Sequence, residues 1–430
     1  MKRRKKWIKI IGILLLSTLL STSCNLEKEG HFSYLTKKQC MEDFEYLQYA
    51  LETTYPYLNV ARRSGISVDD LFEKAKERVV NSQDEVEFYE AIAQLVNGIN
   101  RKGPVGHLVL FDDSLRKDFG DLYRGSADES TFDKYLADIL QNKKTEKRYQ
   151  QLEEVRMEKE AQVGLERKVP KVAHTFARKE VEKNLLLIAP PYFSDQSIEE
   201  GNIAYIRIPS FEHKRVEQEH DKLIEIYKKY ANYENVIFDI RGNGGGDSTY
   251  WVENIALPNT TKTYKWKYVE LFSVQKGNND KYIEMMFPKE SIKPIKEFVP
   301  AEKFATEDLE VLDYFIEEQQ QLGGTEEILK GKKWVLIDDG VYSSAESFAI
   351  FCKETGFATL VGTNSEGDGM GSDPFLLTLP NSRFVVRYSC TYGINSNGTN
   401  NEEYGTTPDI VTEEDALNFC VDYIKEQEKK

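Results

Sequence analysis

Two stretches of this chain place reactive residue types beside backbone amides that a helix or a turn leaves free. The first is Trp334-Val335-Leu336-Ile337-Asp338-Asp339-Gly340-Val341-Tyr342-Ser343-Ser344-Ala345-Glu346-Ser347-Phe348. It reads as a strand, a turn, and a serine pair at the mouth of a helix. The opening amides of a helix have no intrahelical acceptor and sit at its positive end. A hydroxyl there could attack a carbonyl while those amides hold the developing oxyanion. Serine in this place also caps helices, which is its commonest job there. The second stretch is Asn235-Val236-Ile237-Phe238-Asp239-Ile240-Arg241-Gly242-Asn243-Gly244-Gly245-Gly246-Asp247. A buried strand running into glycines lets backbone amides approach a ligand closely. It lacks the lysine and spacing of a P-loop and the fingerprint of a dinucleotide site. Alone, it could equally be a sharp turn that binds nothing.

Two further motifs follow in order, Leu360-Val361-Gly362-Thr363 and Gly405-Thr406-Thr407-Pro408-Asp409-Ile410. With Asp-Ile-Arg-Gly-Asn-Gly-Gly-Gly and Ser-Ser-Ala-Glu they resemble the tail-specific (C-terminal-processing) serine peptidases, over about Ile203 to Val411. The resemblance implies an α/β fold: a mixed-sheet core of the crossover, ClpP/crotonase-like type with an N-terminal helical subdomain and a charged helical insertion. It implies Ser343 as nucleophile, three residues before the helix glutamate. The Ser344 amide would form one half of an oxyanion hole, and Gly244 or Gly245 the other. Many members use a lysine base in a Gly-Lys-Gly segment, but here Asp368 stands at that position, in Glu366-Gly367-Asp368-Gly369-Met370. A carboxylate cannot replace a neutral, desolvated lysine, so a Ser–Lys pair is excluded and Asp368 is not expected to accept the Ser343 proton. Relatives resembling the tricorn core protease use a histidine, and Gly106-His107-Leu108 falls where that branch carries its Gly-His segment. His107 is therefore the expected base, suited by a pKa near neutrality. Glu402 matches a glutamate that precedes the Gly-x-x-Pro-Asp turn in that branch and is the expected orienting partner. The branch relays through a serine just before its histidine; this chain has Gly106 there.

The elements that must hold these residues are legible in part. Lys37 to Thr54 carries Phe44, Leu47 and Leu51 on one face and ends before Pro56, a helix pattern. A second helix opens at Ser67 and a third at Ser82, where Glu85 three positions on gives the spacing of a capping box. Phe132 to Lys183 is highly charged with few aromatics, which fits long solvated helices or a mobile insertion. From Gly201 onward strands alternate with helices: Ile203 to Ile208, a helix near Leu223 to Tyr230, Val236 to Ile240, Trp334 to Ile337, then a helix from Ser344 to Lys353. The division expected is 1–24 as a leader, 25–107 as the helical subdomain, 108–200 as the charged insertion and linker, and 201–430 as the catalytic region.

The first residues differ in kind. Six basic side chains up to Lys9, an apolar run from Ile10 to Leu20, and Ser21-Thr22-Ser23-Cys24 read as a secretory signal. Its boundary resembles a bacterial lipoprotein processing site, with Cys24 as the lipidated residue and Ser21 in place of the usual leucine. The apolar run is too short to span a bilayer. A lipid-anchored, extracytoplasmic position on the cell membrane is expected. The formal charge is −15, and loss of the six basic residues before Cys24 takes it to −21. Nucleic acid is an unsuited partner for so acidic a chain. Cys40, Cys352, Cys390 and Cys420 are scattered singly, without zinc spacing, and read as buried small residues or a disulfide pair. No metal or organic cofactor is implied. The expected function is an extracytoplasmic serine endopeptidase acting on peptides or protein tails by acyl transfer. The alternative is a catalytically inactive binding protein on the same fold.

Overall fold

Val236-Ile237-Phe238 and Val335-Leu336-Ile337 are apolar on both faces, which suits strands covered from both sides. In the computed structural model, which describes residues 32–101, 103, 105–126, 131–163 and 193–429, they occupy the centre of a six-stranded sheet. Its order is Ile410–Val411, Thr359–Gly362, Lys332–Ile337, Asn235–Asp239, Ile203–Arg207, Ser194–Glu199. The first five run parallel and the last is antiparallel to its neighbour, so the sheet is mixed. Side chains alternate between two cores. Ala204, Ile206, Val236, Phe238, Val335, Ile337 and Leu360 join Leu223 and Tyr227 of the helix Arg215–Lys229 and Phe348 and Phe351 of the helix Ser344–Thr355. Ile203, Ile237, Trp334, Leu336 and Val361 meet Ala416, Cys420 and Ile424 of the helix Ala416–Gln427. The registers Leu336 with Asp239 and Ile337 with Gly362 bring the carboxyl ends of neighbouring strands level. The loops that carry the sequence motifs therefore leave from one edge, where open α/β sheets bind their ligands.

The N-terminal helices are as read, with one correction. Lys37–Thr54 is closed by a Thr36/Gln39 capping box. The helix expected from Ser82 is instead Glu85–Ile99, capped by Asp84 through the Glu87 amide. Ser82 closes the preceding helix Val68–Asn81, its hydroxyl donating to the Val79 carbonyl at 2.7 Å. Asp84 stands directly before the helix and its carboxylate accepts from the helix amide, while the Ser82 hydroxyl is already held by the earlier turn. These helices pack on a three-stranded antiparallel sheet of Val109–Leu110, Val385–Tyr388 and Phe375–Thr378, through Phe88, Phe384, Val386 and Tyr388. A ribbon of Thr263–Phe272 and Tyr314–Gly323 shares that core through Leu271, Phe272, Phe315 and Ile316.

The charged stretch is helical where it is described. Asp113–Ser126 and Thr131–Leu140 lay Leu115, Tyr123, Leu136, Ala137 and Leu140 against Leu376 and Val385 on the other face of the three-stranded sheet. The helix Lys143–Val163 follows. Residues 164–192 of the expected insertion, and the leader with Cys24, lie outside the described residues. The four cysteines from Cys40 onward are buried and unpaired, which decides for the small-hydrophobe reading over a disulfide. No helix among the described residues is long and apolar enough to cross a membrane.

Candidate active site

Ser343 precedes the first residue of the helix Ser344–Thr355, with φ 57° and ψ −123°. That region is reached readily only by glycine. Its side chain makes no capping bond to the helix, so capping does not explain the serine. Its amide donates to the Gly367 carbonyl (3.1 Å) and its carbonyl accepts from the Ser347 amide (2.9 Å), which fixes the hydroxyl by backbone alone. Two loops are tied together beside it. Asp338 accepts from the Gly242 amide (2.7 Å) and the Gly340 amide (3.0 Å), and the Tyr342 amide donates to the Asn243 carbonyl (3.1 Å). A Cβ on Gly245 would lie 2.7 Å from the Tyr342 carbonyl and 2.9 Å from the Ser344 nitrogen, so only glycine permits this approach. Of the two glycines expected to complete an oxyanion hole, the Gly245 amide is already engaged by the Asn243 side chain (2.9 Å). The Gly244 amide has no acceptor among the described residues, and open space lies above its Cα. Gly244 and the Ser344 amide at the helix start are the free donors.

His107 arrives from the far end of the chain, in the turn before the strand Val109–Leu110, with φ 51°. Its Nε2 lies 3.1 Å from Ser343 Oγ and its Nδ1 meets Asp368 Oδ2. Asp368 also has positive φ (53°), and its carboxylate accepts from the Tyr342 hydroxyl (3.1 Å) and the Ser389 hydroxyl (3.2 Å). Burial pushes the Asp368 carboxyl up, but the facing His107 and the three hydrogen bonds outweigh it and hold the group below the usual carboxylate range. With Asp368 charged, the Nδ1–H of a neutral His107 donates to it, and Nε2 is left to accept from Ser343. Only four non-glycine residues among those described have positive φ, and Ser343, His107 and Asp368 are three of them. Such clustering of backbone strain is a mark of functional sites.

The expected partner of His107 is thereby corrected. Asp368, not Glu402, is the carboxylate on Nδ1. Glu402 is 7% exposed beside Asp368, and neither of its oxygens closes a hydrogen bond among the described residues. Burial first, then the Asp368 charge, push its carboxyl well above the ordinary range, which favours its neutral form and makes it a poor counter-charge for an imidazolium. The relay position also differs. A Cβ on Gly106 would fall 2.4 Å from Tyr57 Cδ2, so a serine has no room there. A serine hydroxyl reaches the pair from just beyond the strand Val385–Tyr388, as Ser389. Nothing in the sequence pointed to Tyr342 or Ser389, and the only hint for Asp368 was its position where a lysine was expected. Glu346 is fully buried and accepts from Asn401 and Thr406 (both 2.7 Å), pinning the Gly405-Thr406 turn to the nucleophile helix. Asn401 in turn accepts from the Gly369 amide (2.9 Å), which holds the Asp368 loop. Among the described residues no three His, Cys, Asp or Glu side chains gather as a metal site.

A hydroxyl, an imidazole and a carboxylate in line beside two free amides define a serine hydrolase site. The comparisons place it. Residues 202–412 match the model of peptidase family S41, and the chain belongs to that family of serine peptidases. No curated protein has a significantly similar sequence. Among solved structures, a candidate peptidase from Parabacteroides merdae ATCC 43184 is 16% identical, covering 90% of this chain and 96% of its own, with a TM-score of 0.51. Mature CPAF is 11% identical over 90% of this chain and 96% of its own, with a TM-score of 0.50. At these identities the likeness is one of fold.

Proposed function

We propose that this chain is a lipid-anchored, extracytoplasmic serine endopeptidase that works through Ser343, His107 and Asp368. The observation that carries the reading is the unbroken chain of contacts from Ser343 Oγ to His107 Nε2 and from His107 Nδ1 to Asp368. His107 takes the Ser343 proton as Oγ attacks the peptide carbonyl. The Ser344 and Gly244 amides receive the oxyanion, and the imidazolium then gives its proton to the leaving amine. Water repeats the sequence on the acyl-enzyme. Asp368 holds the imidazole in the required tautomer and balances its transient charge. The histidine-using branch of the family is favoured over the Ser–Lys branch, because a carboxylate occupies the lysine position and is itself committed to the histidine. The membrane side rests on the basic, apolar and Cys24 pattern of the leader.

The rival reading, a binding protein on this fold, is disfavoured by a site with nucleophile, base and orienting acid in contact. A fluorophosphonate probe tests the choice, because it reports an activated serine without knowledge of the substrate. The protein should label, and Ser343→Ala should abolish both labelling and peptide hydrolysis. Labelling that survives in Ser343→Ala and is lost in Ser344→Ala would refute the assignment of the nucleophile. No labelling at all would favour the binder.

A further inference from the structure

Tyr342, the residue before the nucleophile, joins the site through its backbone and through its side chain. Its amide donates to the Asn243 carbonyl (3.1 Å), and it forms a parallel bridge with Gly367, the residue before Asp368. The main chain of Tyr342 thus links the glycine turn to the Asp368 loop, and its side chain reaches the third part of the site. The ring centroids of Tyr342 and His107 lie 4.9 Å apart at an angle of 38°, so the phenol ring packs against the imidazole. The phenol oxygen accepts from the His107 amide at a long 3.4 Å and donates its single proton to Asp368 Oδ2 at 3.1 Å. Ser389 comes from a different segment. Its amide donates to the Gly106 carbonyl (2.7 Å), and its hydroxyl donates to the same Asp368 Oδ2 (3.2 Å). Two hydroxyls and His107 Nδ1 therefore converge on one carboxylate oxygen.

Both hydroxyl residues are buried, so little water competes for these contacts. Two of the residues they join, His107 and Asp368, have positive φ, a backbone state that persists only where its surroundings over-determine it. Each hydroxyl residue holds Asp368 and also holds the turn that carries the histidine: Tyr342 at the His107 amide, Ser389 at the Gly106 carbonyl. Hydrogen bonds from both hydroxyls favour the charged carboxylate, the form that can orient an imidazole and balance its charge. A buried phenol or serine needs an acceptor for reasons of stability alone. What distinguishes these two is the acceptor they share, which is the oxygen that faces His107.

We infer that Tyr342 and Ser389 are positioning residues, whose hydroxyls act through Asp368 to fix the direction and the charge of the carboxylate behind His107. The inference rests on the peptidase reading of the same site.

The test is a pair of double-mutant cycles in kcat. Tyr342→Phe, Ser389→Ala and Asp368→Asn are made singly, and each hydroxyl variant is also combined with Asp368→Asn. Phenylalanine keeps the ring against the imidazole and alanine keeps the Ser389 backbone contact, so each change removes one hydroxyl. A fluorogenic peptide is the substrate, circular dichroism gives the amount of folded protein, and fluorophosphonate labelling of the wild type reports whether Ser343 is activated. Loss of either hydroxyl should lower kcat by about ten- to a hundredfold, the scale of a hydrogen bond to a charged group. KM should change by less than about twofold, because both hydroxyls are buried. In the Asp368→Asn background neither change should cost more than about a further threefold, because the charge they hold is gone. A folded hydroxyl variant within about threefold of wild type would overturn the role of that hydroxyl. Losses that multiply in the combined variants would show that the hydroxyls serve the fold and not Asp368, and would overturn the inference. Should one hydroxyl variant fail to fold, the other cycle decides on its own. Either adverse result in a protein whose wild type labels leaves the peptidase reading standing, whereas a wild type that does not label would refute both.

Discussion

Replacing Asp368 by asparagine keeps the size and shape of the side chain and removes its charge. In the protein the carboxylate accepts from His107, Tyr342 and Ser389 at once. An amide can do this with only one of its two ends. With its oxygen toward Nδ1, the NH2 group takes up other contacts and the charge is lost. With its nitrogen toward Nδ1, the imidazole is held in the tautomer whose Nε2 carries the proton and cannot accept from Ser343. The electrostatic part can be sized. Two unit charges about 4 Å apart at an effective dielectric near 20 attract by about 4 kcal/mol, which is about a thousandfold in rate if realised only when His107 becomes charged. The tautomer adds to this, and the same change costs about 10⁴ in the chymotrypsin-type triad. The expected loss in kcat is therefore about 10³ to 10⁴, with KM little changed, since Asp368 is buried behind the histidine. Steady-state hydrolysis of a fluorogenic peptide measures it, with the rate of fluorophosphonate labelling as a second readout. Glu402→Gln, run beside it, should lose less than about tenfold, because Glu402 makes no contact with His107 and burial pushes its carboxyl toward the neutral form that glutamine mimics. An Asp368→Asn protein within tenfold of wild type, or an equal collapse from Glu402→Gln, would refute the assignment of Asp368.

Further expectations follow from the same geometry. Gly106→Ser, which restores the serine of the histidine-using branch, would drive its Cβ into Tyr57 at 2.4 Å and displace His107. Hydrolysis should fall about a hundredfold or more, the cost of roughly an ångström of misplacement, and an increase would show that the Tyr57 contact is wrong. The Glu346 carboxyl is pushed up to about 7 by burial, so the folded protein keeps a proton that the unfolded chain has released. Stability should therefore fall as pH rises from about 4.5 to about 7, by up to about 3 kcal/mol from this group. Glu346→Gln keeps the acceptor for Asn401 and Thr406 and should flatten that slope in urea unfolding, and an unchanged slope would refute it. Ser343→Gly and Ser343→Ala should both be inactive, yet the glycine variant should be more stable by about 1 kcal/mol, because only glycine is at ease at the backbone angles of this position. Equal denaturation midpoints would count against the strain.

The sequence motifs located four loops and the order of the strands that carry them, because buried parallel strands and glycine turns are local signals. The pairing of His107 with Ser343 was reachable only through resemblance, since the two are joined by the antiparallel contact of Val109–Leu110 with Val385–Tyr388, which no local pattern encodes. Asp368 was misjudged for a related reason. Whether a carboxylate faces the serine or the back of a histidine depends on the left-handed turn at Gly367 and Asp368, and on the Asn401 side chain that holds Gly369. A non-glycine residue with positive φ announces nothing in a sequence. The two helices of the charged stretch packed against the sheet were hidden by composition, because their exposed faces outnumber the few apolar side chains they bury.

His107 lies outside the 202–412 segment that matches the family model, and reaches Ser343 only because the helices before it dock on the three-stranded sheet. Reactivity is thus shared between two stretches of chain, and neither holds enough to cut a peptide. Until the N-terminal helices have settled on the sheet, the nucleophile has no base beside it. A chain still emerging or unfolding is in that condition, and is harmless to its neighbours. In this arrangement the site is completed by the docking of the N-terminal helices.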